Sequence, residues 1–224
     1  MGHLIKGHPE GFRLSFIRKS YGTRNWERLY RYPEFSATLS YYDLKNDEVL
    51  GKIVALNTGL GFHLNDITSQ RGDFQVYLGF GLSYFTRVYD KVENNKNNVV
   101  SSHLPWNVNL RLAYWYKITK RFELGTALQL SHFSNASRNV PNFGLNLINL
   151  NAGLRYQISS SAPEYNKVIS QPEPFNKKSF INIDLRAGVS QVEPVGTGPS
   201  LYMAMSLFWN KRLSTKSILD AGIE

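Results

Sequence analysis

Large apolar residues alternate with small or polar ones along most of this chain, with the period of two that puts side chains on opposite faces of a β-strand. The pattern runs through FRLSFIRK (12–19), FSATLSYYDL (35–44), KIVALNTGLGFHL (52–64), FQVYLGFGLSYF (74–85) and WNVNLRLAYWYKI (106–118). It continues in FELGTALQLSHFS (122–134), LINLNAGLRYQI (147–158), FINIDLRAGV (180–189) and SLYMAMSLFW (200–209), and a tenth run, SILDAGIE (217–224), follows. No stretch of useful length has helical period. The expectation is an all-β, antiparallel fold.

The two faces of these strands differ in kind. In 74–85 one face carries Phe74, Val76, Leu78, Phe80, Leu82 and Tyr84, and the other Gln75, Tyr77, Gly79, Gly81 and Ser83. In 106–118, Trp106, Val108, Leu110, Leu112, Tyr114 and Tyr116 oppose Asn107, Asn109, Arg111, Ala113 and Trp115. A water-soluble sandwich or lipocalin-like barrel turns apolar faces inward and seldom repeats Asn, Asn and Arg on strands of this length. Long strands with aromatic ends and a small, polar second face predict a transmembrane β-barrel whose apolar face meets lipid. An open pore is disfavoured, because inward Arg111, Trp115 and Arg155 would fill a small lumen.

Composition narrows the reading further. Aromatic residues make up 13% of the chain and there are 17 glycines, which suits ring-rich strands. The apolar residues are dispersed, so no window reaches the roughly 18–20 needed for a spanning helix. With no cysteine, disulfides and thiolate metal sites are excluded. The net charge of +9 is spread over strand ends and loops rather than gathered in a stripe, and no nucleic-acid partner is expected. The opening GHLIKGHPEG has no apolar signal core, so either the protein is not exported or its export signal is missing from this sequence.

One strand carries unusual chemistry. Along 122–134, alternation puts His132 and Ser134 on the lipid-facing side, and Asn146 faces out at the start of the next strand. If the chain returns antiparallel after Ser134, all three meet near one rim, outside the barrel. A polar trio facing lipid is costly unless the substrate is itself a lipid. Serine becomes a nucleophile when an imidazole takes its proton, and the imidazole needs an acceptor at its other nitrogen, which the Asn146 carbonyl could supply. The Ser134-Asn135-Ala136 turn, the Asn135 amide and the region of Gly144 offer N–H groups for an oxyanion. Within the same loop, Arg138 could pair with a lipid phosphate.

The segment HFSNASRNVPNFGLN (132–146) resembles the motif of PagL-type lipid A 3-O-deacylases: His-aromatic-Ser-Asn-Ala, then Pro-Asn and Gly at matching spacing. GHPEGFRLSFIRKSYGTRNWERLYRYPEFS (7–36) and YDKVENNKNNVVSS (89–102) are similar to longer, Bacteroidetes-type relatives of that family. The resemblance implies an outer-membrane barrel esterase acting on lipid A or lipopolysaccharide, in contact with outer-membrane lipids and without a cofactor. His132 would be the base, Ser134 the nucleophile and Asn135 an oxyanion donor. Where the best-known members have Glu as third member, this chain has Asn146, which can hold the imidazole but cannot stabilise its charged form. The alternative is a non-catalytic barrel serving as a structural or complex-forming subunit with outer-membrane protein partners.

The expected organisation is a barrel region over 1–158 and, over 159–224, a linker with additional strands that could extend the barrel. An eight-stranded core is expected, with its first strand missing. Loop lengths make strand 122–134 run outward, so that 12–19 runs inward. His3, His8, His63 and His103 lack ligand spacing and read as loop or rim histidines, so no metal is expected. ENNKNN (93–98) reads as a solvated polar loop.

Overall fold

A computed structural model gives the architecture and describes residues 4, 6–66, 71–159, 164–167, 178–191, 195–214 and 217–224. His3 and most of the 160–177 connection lie outside the described residues. The chain divides into two compact units, Met1–Ile169 and Ser170–Glu224.

In the first unit, seven strands follow one another as antiparallel neighbours: β1 (Glu10–Arg18), β2 (Glu34–Asp43), β3 (Lys52–His63), β4 (Gly72–Phe85), β5 (Trp106–Lys117), β6 (Phe122–Ser134) and β7 (Leu145–Tyr156). The β1–β2 connection contains a short helix, α1 (Asn25–Leu29), which alternation did not signal. No helix among the described residues is long and apolar enough to cross a membrane.

The registers align the two faces into rows. Leu60, Leu78, Leu110, Leu130 and Ile148 are successive cross-strand partners from β3 to β7, and all but the half-buried Leu60 are exposed. Tyr77, Arg111, Gln129 and Asn149 form a row on the opposite face, and Arg111 is only 5% exposed. Buried polar groups and exposed leucines invert the usual distribution for a protein in water. They follow the lipid-facing pattern of a membrane barrel.

Contacts across the buried face show that the sheet curls. In a flat sheet β1 and β6 would lie five spacings apart, about 24 Å. Instead the Arg13 guanidinium donates to Gln129 Oε1, and Gln129 Nε2 donates to Tyr42 Oη of β2 at 3.2 Å. Arg155 of β7 lies 3.2 Å from Glu34 of β2 and donates to Gln75 of β4 at 2.9 Å, while Lys19 meets Glu123 at 2.9 Å. These are the interior contacts of a β-barrel wall, filled by side chains rather than left as a channel. Two guanidinium groups of this interior lie on aromatic faces: Arg155 stacks 3.9 Å from Trp115, and Arg111 4.3 Å from Tyr77.

Trp115 fits there because two glycines face it. A Cβ on Gly125 would lie 2.3 Å from Trp115 Cε3, and Gly153, the cross-strand partner of Gly125, is also against the ring. Gly125→Ala is therefore expected to displace Trp115 and the guanidinium stacked on it, costing about 1–3 kcal/mol. The check is a temperature series of heat-modifiable gel mobility in detergent. An unchanged transition would mean that the ring has room to move.

One end of this unit is capped by apolar residues from strands and loops, among them Leu44, Leu50, Phe85, Val99, Val100 and Phe133. This is the end where β6 finishes and β7 begins, and it carries the long 86–105 connection, whereas the opposite end has the short 118–121 turn. β1 starts at this same end, Glu10 pairing with Asp43, and runs away from it, the direction expected from loop lengths. The 93–98 loop departs from its expected solvation: Asn97 is fully buried, and Asn94 donates to the carbonyls of Val49 and Val88. The apolar Val99 and Val100 that follow draw it inward.

The second unit is a three-stranded antiparallel sheet of β8 (Ser179–Ser190), β9 (Ser200–Arg212) and β10 (Ile218–Ile223), ordered β10-β9-β8. Its register sets Ile181, Ile183 and Leu185 beside Trp209, Leu207 and Met205 on one face. Asp184, Arg186 and Ser206 lie on the other, where Arg186 donates to Ser206 Oγ.

Candidate active site on the outer wall

The exact period of two brings the outward polar residues together. His132 near the end of β6 is the cross-strand partner of Asn146 on β7 and of Val108 on β5. Ser134, two residues on, is the partner of Trp106, whose ring stacks on Phe80 at 5.1 Å. Immediately beneath this group runs the exposed apolar row Leu110, Leu130 and Ile148.

His132 Nδ1 lies 2.7 Å from Asn146 Oδ1. A carbonyl oxygen can only accept, so Nδ1 carries the proton and Nε2 is left with its lone pair. Gly144, at φ 72°, makes room for the ring: a Cβ there would come within 3.0 Å of His132 Cε1 and of the Phe133 carbonyl oxygen.

Ser134 Oγ receives two hydrogen bonds, from Ala136 N–H at 3.1 Å and from Asn142 Nδ2 at 2.9 Å. Both are donated to it, so its own hydrogen is left for an acceptor. No hydrogen bond joins Ser134 to His132. The turn that aims Ala136 N–H back at the hydroxyl uses two consecutive left-handed residues, Ala136 (φ 55°) and Ser137 (φ 57°), a conformation that costs on the order of 1–3 kcal/mol per residue and collects at functional sites.

The expected oxyanion donors are occupied. Asn135 is buried; its backbone N–H donates to Asn142 Oδ1 at 3.1 Å, and its side-chain Nδ2 donates to Ser101 Oγ at 2.9 Å and the Asn139 carbonyl at 3.0 Å. Gly144 N–H donates to the Val99 carbonyl at 3.0 Å. Asn142, which alternation could not flag, holds the hydroxyl instead; the signal for it was the Pro-Asn pair within the motif. Arg138 is exposed in the same loop, with its backbone N–H on the Asn135 carbonyl.

The other described histidines stand apart. His103 Nδ1 lies 2.6 Å from the Phe85 carbonyl, and His8 is exposed. His63 is buried at the far end of β3 with Glu34 and Asp73, their donor atoms within 4.8 Å of one another. Its Nδ1 lies 2.8 Å from Asp73, Gln75 donates to Asp73, and Glu34 is ion-paired with Arg155. Partners within the chain already occupy these groups.

A curled antiparallel sheet with polar side chains inside, large apolar ones outside, and a histidine–amide pair and a doubly held serine on the outer face defines the class by its fold: an antiparallel β-barrel. The chain belongs to the lipid A 3-O-deacylase (PagL) family, whose sequence model matches residues 10–155. That family consists of outer-membrane ester hydrolases acting on lipid A. Neither a curated protein nor a solved structure gives a match.

Proposed function

We propose that this protein sits in the outer membrane and hydrolyses the 3-O-linked acyl ester of lipid A with Ser134 as nucleophile. The observation that carries the reading is the 2.7 Å contact between His132 Nδ1 and Asn146 Oδ1, on the exposed face and one pleat from Ser134. It fixes the tautomer that leaves Nε2 as a base. In the first step Ser134 Oγ attacks the ester carbonyl while His132 Nε2 takes the hydroxyl proton. The tetrahedral oxygen gathers beside the groups that already point at Oγ, the Asn142 amide and Ala136 N–H. The imidazolium then returns its proton to the departing sugar oxygen. A water deprotonated by the same nitrogen hydrolyses the acyl-serine, releasing a fatty acid and free Ser134. Leu110, Leu130 and Ile148 offer the apolar surface for the acyl chain. Mass spectrometry of lipid A incubated with folded protein tests the reading; loss of one hydroxyacyl mass is expected, and an unchanged spectrum opposes it.

A second reading, a non-catalytic barrel engaged with other outer-membrane components, is favoured by Asn146. An amide orients the imidazole but does not balance its positive charge. Asn146→Glu separates the two. If the group is catalytic, a carboxylate beside Nδ1 is expected to raise deacylation about tenfold, equivalent to roughly 1.4 kcal/mol of transition-state stabilisation. No turnover in either the parent or Asn146→Glu favours the non-catalytic role.

A further inference from the structure

The active-site loop is braced from behind by a loop of another hairpin. Phe143 N–H donates to the Asn98 carbonyl at 3.1 Å and Gly144 N–H to the Val99 carbonyl at 3.0 Å. These two residues lie between Asn142, which holds Ser134, and Asn146, which holds His132. At the other end of the same loop, Asn135 Nδ2 donates to Ser101 Oγ at 2.9 Å. A five-residue stretch of the β4–β5 connection, 97–101, thus grips both ends of the loop that carries the reacting groups.

Asn97 sets the shape of that stretch. It is fully buried; its Oδ1 accepts from the N–H groups of Val99 at 3.2 Å and Val100 at 3.4 Å. Its Nδ2 donates to the carbonyls of Val49 at 2.9 Å and Arg87 at 3.4 Å. One amide therefore ties the stretch to the β2–β3 loop and to the root of its own loop. Val99 and Val100, both buried in the apolar cap, anchor it. None of these residues faces the reacting groups; they act through the backbone of Phe143 and Gly144 and the side chain of Asn135.

We propose that residues 97–101 position the catalytic loop from the inner side of the wall, with Asn97 and Ser101 as positioning residues that keep Asn142 on Ser134 and Asn146 on His132. The inference rests on the serine–histidine reading above. A shift of about 1 Å in reacting groups costs roughly 100-fold in rate, so modest slackening of this brace reads out as lost turnover.

The test uses the folded full chain in detergent micelles containing lipid A. Turnover is followed by mass spectrometry, Ser134 reactivity by the labelling rate of a serine-directed phosphonate, and folding by heat-modifiable gel mobility. Asn97→Ala is expected to lower kcat and labelling about 10- to 100-fold with KM little changed and the folded band retained. Ser101→Ala, a change small enough to leave folding intact even if Asn97→Ala does not, is expected to lower both by about tenfold, and Ser101→Thr, which keeps the hydroxyl, to restore them. Parental kcat in Ser101→Ala, or equal losses in Ser101→Ala and Ser101→Thr, overturns the brace while an inactive Ser134→Ala leaves the serine mechanism standing. Parental deacylation in Ser134→Ala removes that mechanism, and the brace falls with it.

Discussion

Ser134→Ala is expected to abolish lipid A deacylation while leaving the barrel folded, a loss of at least about 10³-fold because neither partner of a serine–histidine pair works alone. The hydroxyl accepts from Ala136 N–H and Asn142 Nδ2 at a partly exposed position. Its removal frees two donors that lipid headgroups or water can satisfy, so stability changes little. His132→Ala is expected to match it, and the double variant to add nothing. The measurement is acyl release alongside phosphonate labelling, with gel mobility as the control for folding. Parental activity in Ser134→Ala removes the covalent mechanism.

Asn142→Asp is expected to lower kcat by about 10²–10³-fold, the usual loss for one oxyanion donor. The substitution keeps Oδ1, which accepts from Asn135 N–H at 3.1 Å, and replaces the Nδ2 that donates to Ser134 at 2.9 Å. It thereby separates the scaffold half of the amide from the half aimed at the reaction. It also sets a negative charge where the tetrahedral oxygen would form, which deepens the loss. Asn142→Ala removes both halves and should weaken the loop as well. If Asn142→Asp turns over at the parental rate, the oxyanion is held elsewhere, and the role returns to Ala136 N–H alone or to a donor freed when substrate binds.

How much of this was legible in the sequence depends on the distance over which each feature is determined. Strand faces follow from a strict period of two, so the outward position of His132, Ser134 and Asn146 could be read directly, and one antiparallel turn suffices to pair His132 with Asn146. The contact between Arg13 and Gln129 crosses 116 positions, and that between Arg155 and Gln75 crosses 80; no local pattern encodes them. The hydrogen bond from Ala136 N–H to Ser134 comes with left-handed backbone at Ala136 and Ser137, which residue types other than glycine rarely announce. Asn97 was hidden for a different reason: ENNKNN looks solvated, and only the packing of the neighbouring Val99 and Val100 carries Asn97 indoors.

His132 and Asn146 are exposed on the wall, directly above Leu130 and Ile148. On the reading proposed above, the membrane leaflet supplies the missing half of the binding site. Encounter is then lateral and two-dimensional: the substrate drifts along the wall with its chains already extended in hydrocarbon. The quantity that sets occupancy is the mole fraction of lipid A among its neighbours in the leaflet, and the concentration in the surrounding water has no direct part in it.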